Sequence, residues 1–407
     1  MTFSKIKKFN SISPKELLAV ERFLKSDSPL SGFYGSNRPE FFGGKQIRKF
    51  EENWSKKFNT EYSVSMNSAT SCLIASMGAI DLKSGDEVIV SPFSMSISAI
   101  APIFYGAVPI FCDIEEDFFN IDYEDVIRKT TSRTKAIIVV NQFGHPAELE
   151  RLKVFCKKKG IYLIEDNSQS ILAHENNKLC GTVGDIGVFS LNIHKHIHCG
   201  EGGVCITSNK ELASRLSLIR NHGENVVDSL NLKNNSNILG FNFRLPEISA
   251  TIANEQLKRV DFLTKRTEDI GSYLSEELLD VENLIVPKVR KNCRHVYFMW
   301  SCKVKNSSKK SLHKFCSLIQ KKGILITQGY VKPIYRLSIF NENLDFGCND
   351  KMKFYRSYYE NLTCEVVERI HNNEIIQFQP VSWDIKLRDI KIMAKQIKDI
   401  FNQTINK

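Results

Sequence analysis

The chain has 407 residues, enough for a large and a small domain, and with 42% hydrophobic and 25% charged residues its composition is that of an ordinary globular protein. It has no apolar run of the roughly eighteen residues that a membrane span needs, and the N-terminal MTFSKIKKFNSISPKELL lacks an apolar signal core, so a cytoplasmic protein is expected. The net charge of +10 is not gathered into a basic stripe with interleaved aromatics, which argues against nucleic acid as partner; an anionic small substrate fits the excess, as does mere solubility.

The eleven cysteines are scattered and no pair has CxxC spacing, which argues against structural zinc and iron–sulfur clusters and leaves reduced, buried thiols as the default. In chain order, residues 14–26 have helical periodicity with proline at the start. A Gly/Pro-containing loop is expected over 33–45, an amphipathic helix over 47–58 and an alternating strand over 61–66. Asn67-Ser68-Ala69-Thr70-Ser71 then leads into an apolar helix. Small hydroxylic residues at a strand-to-helix junction present N–H groups at a positive dipole end, a seat for an anion or phosphate; an ordinary helix cap reads the same way.

Strands are expected at 86–90, 108–113, 134–140 and 161–166, separated by helices at 94–105, 123–129 and 147–159. This alternation, with near-continuous apolar strands, predicts an α/β fold built on a mostly parallel sheet with helices on both faces. In such sheets function gathers at the carboxyl ends of strands, which is where Asp166 falls. No Gly-x-Gly-x-x-Gly follows an early strand, so a dinucleotide site has little support.

The stretch 185–207, DIGVFSLNIHKHIHCGEGGVCIT, reads as strand, polar interruption with Lys195, glycine turn and strand. A lysine held on such a scaffold suits a reactive amine, which must be partly desolvated to be nucleophilic at neutral pH. A helix is expected over 210–220, a polar loop or flap over 221–239 and one long helix over 247–270. The remainder mixes helices at 269–279, 311–322 and 386–401 with strands at 296–304 and 324–327, an α+β pattern. The expected division is a large domain at 30–255 and a smaller one at 256–407 joined by residues 1–29.

The Asn-Ser-small-Thr loop at 67–70, IEDNSQS at 164–170, GDIGVFSLNIHK at 184–195, GEGG at 200–203 and GFNFRLPEISA at 240–250 form an ordered set. With them the chain resembles the sugar aminotransferases of the DegT/DnrJ/EryC1/StrS family, pyridoxal-phosphate (PLP) enzymes of fold type I, from about Gly32 to about Phe401. The resemblance implies transfer of an amino group, usually from L-glutamate, to a nucleotide-linked keto-deoxysugar for polysaccharide or glycan assembly. It implies that Lys195 forms the Schiff base with PLP and carries the proton, and that Asp166 pairs with the protonated pyridine nitrogen. Gln169 would bond near the cofactor's O3′, and Ala69, Thr70 and Ser190 would hold its phosphate. Asn242 would reach the phosphate in the neighbouring subunit, which requires a homodimer with sites at the interface.

Some residues depart from the family pattern. The aromatic that stacks on the cofactor ring falls at Met95 or Phe93, and the two stay open. Asn167 and Ser168 replace small alanines, and Leu191 replaces phenylalanine. His194, His196 and His198 alternate and on a strand would share one face; orienting Lys195 or touching substrate is a role for one of them, and a metal site has no obvious further ligand. His222 and His295 are candidates for the substrate site or plain loop residues. Two other readings are a PLP-dependent sugar dehydratase of the same family, which needs histidine in place of the lysine, and a PLP-fold sensor without turnover, which needs loss of Lys195 or Asp166.

Overall fold

The computed structural model describes residues 7–35, 39–230, 236–341 and 356–406. Those parts of the expected 33–45 loop, the 221–239 flap and the C-terminal domain that fall at 36–38, 231–235 and 342–355, Cys348 among them, lie outside the described residues.

A seven-stranded sheet organises the first part of the chain. Its strands are Tyr62–Met66 (β1), Glu87–Val90 (β2), Val108–Phe111 (β3), Thr134–Val140 (β4), Tyr162–Asp166 (β5), Ile186–Ser190 (β6) and Gly203–Thr207 (β7). The order across the sheet is β1-β7-β6-β5-β4-β2-β3. From β6 to β3 all neighbours are parallel, while β7 runs antiparallel to both β6 and β1. The continuous apolar runs VIV at 88–90 and IIVV at 137–140 are buried, as strands covered on both faces must be.

Alternation sorts side chains between two layers. On β6, Val188 packs with helix Ala69–Ala79 (α3) and the main core, while the adjacent Phe189 packs with helix Lys45–Phe58 (α2). There the Trp54 ring stacks on Phe58 and meets Phe189 edge-on, with centroids 5.1 and 5.3 Å apart. The start of α2 has Gly44 at its cap position and no side-chain cap of its own. Glu247 supplies it from 200 residues away, accepting hydrogen bonds from Gln46 N at 2.8 Å and Ile47 N at 3.1 Å.

A second sheet of Leu284–Ile285 (β8), Trp300–Val304 (β9), Thr327–Gln328 (β10) and Ile375–Phe378 (β11) has the order β8-β9-β11-β10, all antiparallel. It shares a separate apolar cluster with helices Val260–Leu278, Lys309–Lys321 and Leu387–Thr404. The single helix expected over 247–270 is two, Glu247–Leu257 and Val260–Leu278. The break falls where Arg259 leaves helical geometry (ψ 8°) and its guanidinium donates to Ser11 O and the Glu16 carboxylate. That contact ties the first helix, Pro14–Leu24 (α1), to the middle of the chain.

Candidate active site

The carboxyl end of β5, the turn between β6 and β7 and the start of α3 meet around a cleft of about 710 Å³. Asp166 is its buried acid. Its backbone is held by Asn141 N, which donates to Asp166 O at 3.1 Å, and Asn167 N donates to Val188 O at 2.7 Å. The carboxylate accepts from Ser168 N at 3.0 Å. Burial pushes its pKa up, against the opposing pull of Ser168 and Lys195. The neighbouring Glu165 points to the opposite side of the strand, where three N–H groups, of Gly181, Val183 and Gly184, satisfy its buried carboxylate at 2.6–2.9 Å. Asn167 is part of the same scaffold: its Oδ1 accepts from Asn141 Nδ2 at 2.7 Å.

Lys195 is set by its turn. Its N–H donates to Asn192 O at 2.9 Å, Gly200 takes φ 91°, and Asn192 Nδ2 donates to Glu201 Oε1 at 2.7 Å. The ammonium Nζ lies 4.5 Å from the centroid of the Phe298 ring. Desolvation lowers its pKa from 10.5 to about 8, and the Asp166 charge opposes that fall. An amine with this proton affinity is a substantial fraction neutral near pH 8, as a nucleophile or proton carrier must be.

The third wall is the N-terminus of α3. Ser68 caps it by accepting from Ser71 N at 3.0 Å. The N–H groups of Ala69 and Thr70, both on the cleft wall, belong to the first turn and have no intrahelical acceptor. Beside them runs Gly203, where a Cβ would meet the Ser68 carbonyl carbon at 2.4 Å and Ala69 N at 2.6 Å. Glycine here serves close approach of β7 to the helix start, whereas the sequence suggested only a turn; the positive φ of the GEGG stretch is at Gly200. Ser190 also lines the cleft.

Gln169 stands near Asp166, its Oε1 accepting from Phe143 N at 2.8 Å and its Nε2 donating to Tyr330 OH at 3.0 Å. Of the two stacking candidates, Met95 lines the cleft and is 56% exposed, while Phe93 is buried behind it, edge-on to Phe143 and Tyr330. Asn242 is exposed, bridged to Asn221, and takes a hydrogen bond from Arg244 Nε at 2.7 Å; it is not on the cleft wall of its own chain.

The histidines do not share a face, because 191–202 is a turn and not a strand. His194 is exposed and borders the cleft; His196 is buried with Nε2 3.1 Å from Val296 O, and burial drops its pKa to about 3. Among the described residues no group of His, Cys, Asp and Glu is placed to hold a metal ion. His295 sits under Tyr297 with ring centroids 4.0 Å apart and accepts from Tyr297 N; His222 holds a turn at φ 50°. Neither lines the cleft.

Phe298, Tyr330 and Gln379 are the wall residues that sequence reasoning missed. They come from beside the second sheet; Phe298 closes the family-like stretch RHVYF at 294–298, from which the sequence reading takes only His295, while Tyr330 and Gln379 have no motif around them.

The chain matches the DegT/DnrJ/EryC1/StrS aminotransferase family over residues 36–364. It is 31% identical over 258 residues to the GDP-perosamine synthase of Vibrio cholerae, covering 63% of this chain and 69% of that one. It is 30% identical over 322 residues to the UDP-4-amino-4,6-dideoxy-N-acetyl-beta-L-altrosamine transaminase of Campylobacter jejuni, covering 77% and 84%. It is 28% identical over 267 residues to the spore coat polysaccharide biosynthesis protein SpsC of Bacillus subtilis, covering 64% and 69%. In fold it resembles Helicobacter pylori PseC, an aminotransferase involved in the biosynthesis of pseudoaminic acid, with a TM-score of 0.80 at 23% identity over 99% of this chain and 100% of that one. With its Lys195–Asp166 cleft and a match that spans most of its length, the chain belongs to the DegT/DnrJ/EryC1/StrS aminotransferase family.

Proposed function

We propose that this aminotransferase holds pyridoxal 5′-phosphate in the Lys195–Asp166 cleft and moves an amino group from L-glutamate to a nucleotide-linked keto-deoxysugar. The observation that carries the reading is the pairing of a desolvated lysine with a buried carboxylate in one cleft, above a helix N-terminus with free N–H groups. Those three parts fit the cofactor's three chemical ends. Ala69, Thr70 and Ser190 hold the phosphate, and Gly203 gives the room that lets β7 and α3 close around it. Asp166 holds the protonated ring nitrogen, with Gln169 near the ring hydroxyl. Lys195 is the covalent anchor. When bound, PLP supplies the electron sink that stabilises charge on the substrate carbon and carries nitrogen between the two substrates.

The protein's own share of the work is positioning and proton movement. Lys195 Nζ, with its pKa lowered to about 8, can give up and regain a proton at that atom near neutral pH. Burial in the cleft is what lowers that pKa, against the raising influence of Asp166, and the Phe298 ring lies 4.5 Å from Nζ. The dehydratase reading needs histidine at the lysine position. It has less support, because Lys195 lines the cleft and His196 is turned to Val296 O.

The names of the relatives carry GDP- and UDP-linked sugars and polysaccharide synthesis, which supports a nucleotide sugar as acceptor and glycan assembly as the setting. A homodimer is supported by the position of Asn242, outside the cleft of its own chain, and by the exposed apolar side chains of Leu30, Tyr34 and Leu239 in the same part of the fold, where Glu247 N donates to Leu30 O and Asn221 Nδ2 to Tyr34 O. We further take 30–255 as the cofactor domain and 256–407 as the smaller one, supported by an apolar cluster built wholly from residues 270–401; the main core also takes in Ile334, Tyr335, Tyr359 and Ile375 from the later part of the chain. A cytoplasmic location agrees with the chain's having, among the described residues, no helix long and apolar enough to cross a membrane. The test is the absorption spectrum of purified protein with PLP. A visible band that needs Lys195 and bleaches with L-glutamate is expected; a band that no amino donor changes overturns the transaminase reading.

A further inference from the structure

Gln169 is held at both ends of its amide, and its two partners settle which end is which. The Phe143 backbone N–H can only donate, so the atom it meets at 2.8 Å is the side-chain oxygen. The amide nitrogen then faces Tyr330 OH and donates to it at 3.0 Å. One of the two hydrogens on Nε2 is used there. The other is what Gln169, on the cleft wall, still has to give.

One hydrogen bond would leave the amide free to pivot about its oxygen. The second fixes its plane, and that second bond depends on a hydroxyl from a different part of the fold. Gln169 follows β5 and Phe143 follows β4, whereas Tyr330 follows β10 of the second sheet. The Tyr330 backbone is pinned there, with Gly329 N donating to Ile375 O at 3.0 Å and Tyr330 N to His371 Nδ1 at 3.3 Å. Its ring lies edge-on to the buried rings of Phe93 and Phe143, with centroids 5.3 and 5.0 Å away. These contacts give the hydroxyl a fixed position. Burial pushes the phenol's pKa up, and the bond from Gln169 opposes that rise without cancelling it, so the group stays a neutral hydroxyl at working pH.

We infer that Tyr330 is a positioning residue for the cofactor: it holds the Gln169 amide so that an N–H, and not the carbonyl, is presented to the ring oxygen of bound PLP. The inference rests on the proposed cofactor and adds a residue that acts on it through another. The consequence is electrostatic. An N–H aimed at the ring oxygen favours its anionic form and so eases loss of the neighbouring proton on the Lys195 nitrogen. The proton affinity at the reacting centre is thereby set in part by a residue of the second sheet's side of the cleft.

The test is pH titration of the visible cofactor band in the PLP-loaded protein, which needs no turnover. Tyr330→Phe removes only the hydroxyl and should raise the band's midpoint by about 0.5 pH unit or more. Gln169→Leu should raise it at least as far, and the double variant no further than Gln169→Leu alone, because Tyr330 acts through that amide. An unmoved midpoint in Tyr330→Phe, or a double shift equal to the sum of the single ones, overturns the inference, as does a parent band that keeps its form up to about pH 10. The parent's band reports the cofactor reading by itself. If it is absent, that reading and this inference fall together; if it is present and indifferent to Tyr330→Phe, only this inference falls.

Discussion

Replacing Lys195 by methionine should make the cofactor-free protein more stable, although on the proposed function it abolishes amino transfer. Folding moves the amine from water into the cleft, and its pKa falls from 10.5 to about 8. At ~1.36 kcal/mol per pH unit that drop is worth roughly 3 kcal/mol. The side chain is only half-buried, and screening by the remaining water reduces the expected gain to about 1–2 kcal/mol. The sign follows from proton counting. Between pH 8 and 10.5 the unfolded chain binds a proton at this position that the folded chain has released, so stability of the parent rises with pH through that window. Below about pH 8 the cost of keeping Lys195 charged in the cleft is fully present; above 10.5 it is gone. Denaturant unfolding of both cofactor-free proteins at pH 7 and pH 10.5 reads this directly. Lys195→Met should be the more stable at pH 7, with the difference shrinking toward zero at pH 10.5. Equal stability at pH 7, or an advantage that does not change with pH, would refute the argument that the cleft desolvates this amine.

Other expected outcomes follow from the same geometry. Asp166→Asn should slow amino transfer on the order of 100-fold while leaving the unfolding midpoint near that of the parent, because the amide oxygen can still accept from Ser168 N; steady-state kinetics beside circular dichroism checks both halves. Gly203→Ala forces a methyl against the Ser68 and Ala69 backbone, which should cost about 1–3 kcal/mol and weaken PLP binding tenfold or more, measured by fluorescence titration. Glu247→Ala leaves Gln46 N and Ile47 N without their acceptor and should destabilise by about 2–3 kcal/mol in a urea melt, with Glu247→Gln losing less because one oxygen remains.

The parallel core was legible because its strands are long apolar runs between clear helix signals, as Thr134–Val140 shows. The positions of the proposed site residues follow from the same pattern: Asp166 ends β5, Ala69 opens the helix after β1 and Lys195 lies in the turn after β6, while their roles were read from the family resemblance alone. What failed was read locally but decided by distant contacts. The break at Lys258–Arg259 has no glycine or proline, and is made by the reach of Arg259 to Ser11 and Glu16. The alternating histidines imitate a strand, but Gly200 and the Asn192 bonds coil the segment into a turn. Ile375–Phe378 follows a π-helical turn, and Leu284–Ile285 is two residues long, too little periodicity to register. Phe298, Tyr330 and Gln379 reach the cleft from a second sheet whose placement no local signal encodes.

The cap that Glu247 places on α2 has a bearing on biogenesis. A chain leaving the ribosome from its N-terminus has the whole of α2 available long before residue 247 emerges, and until then that helix start has no acceptor for its N–H groups. The cleft waits longer still, since Gln379 on its wall is made well after Asp166 and Lys195. A nascent chain that has not yet reached residue 379 therefore lacks part of that wall, although the residues around Lys195 are already made.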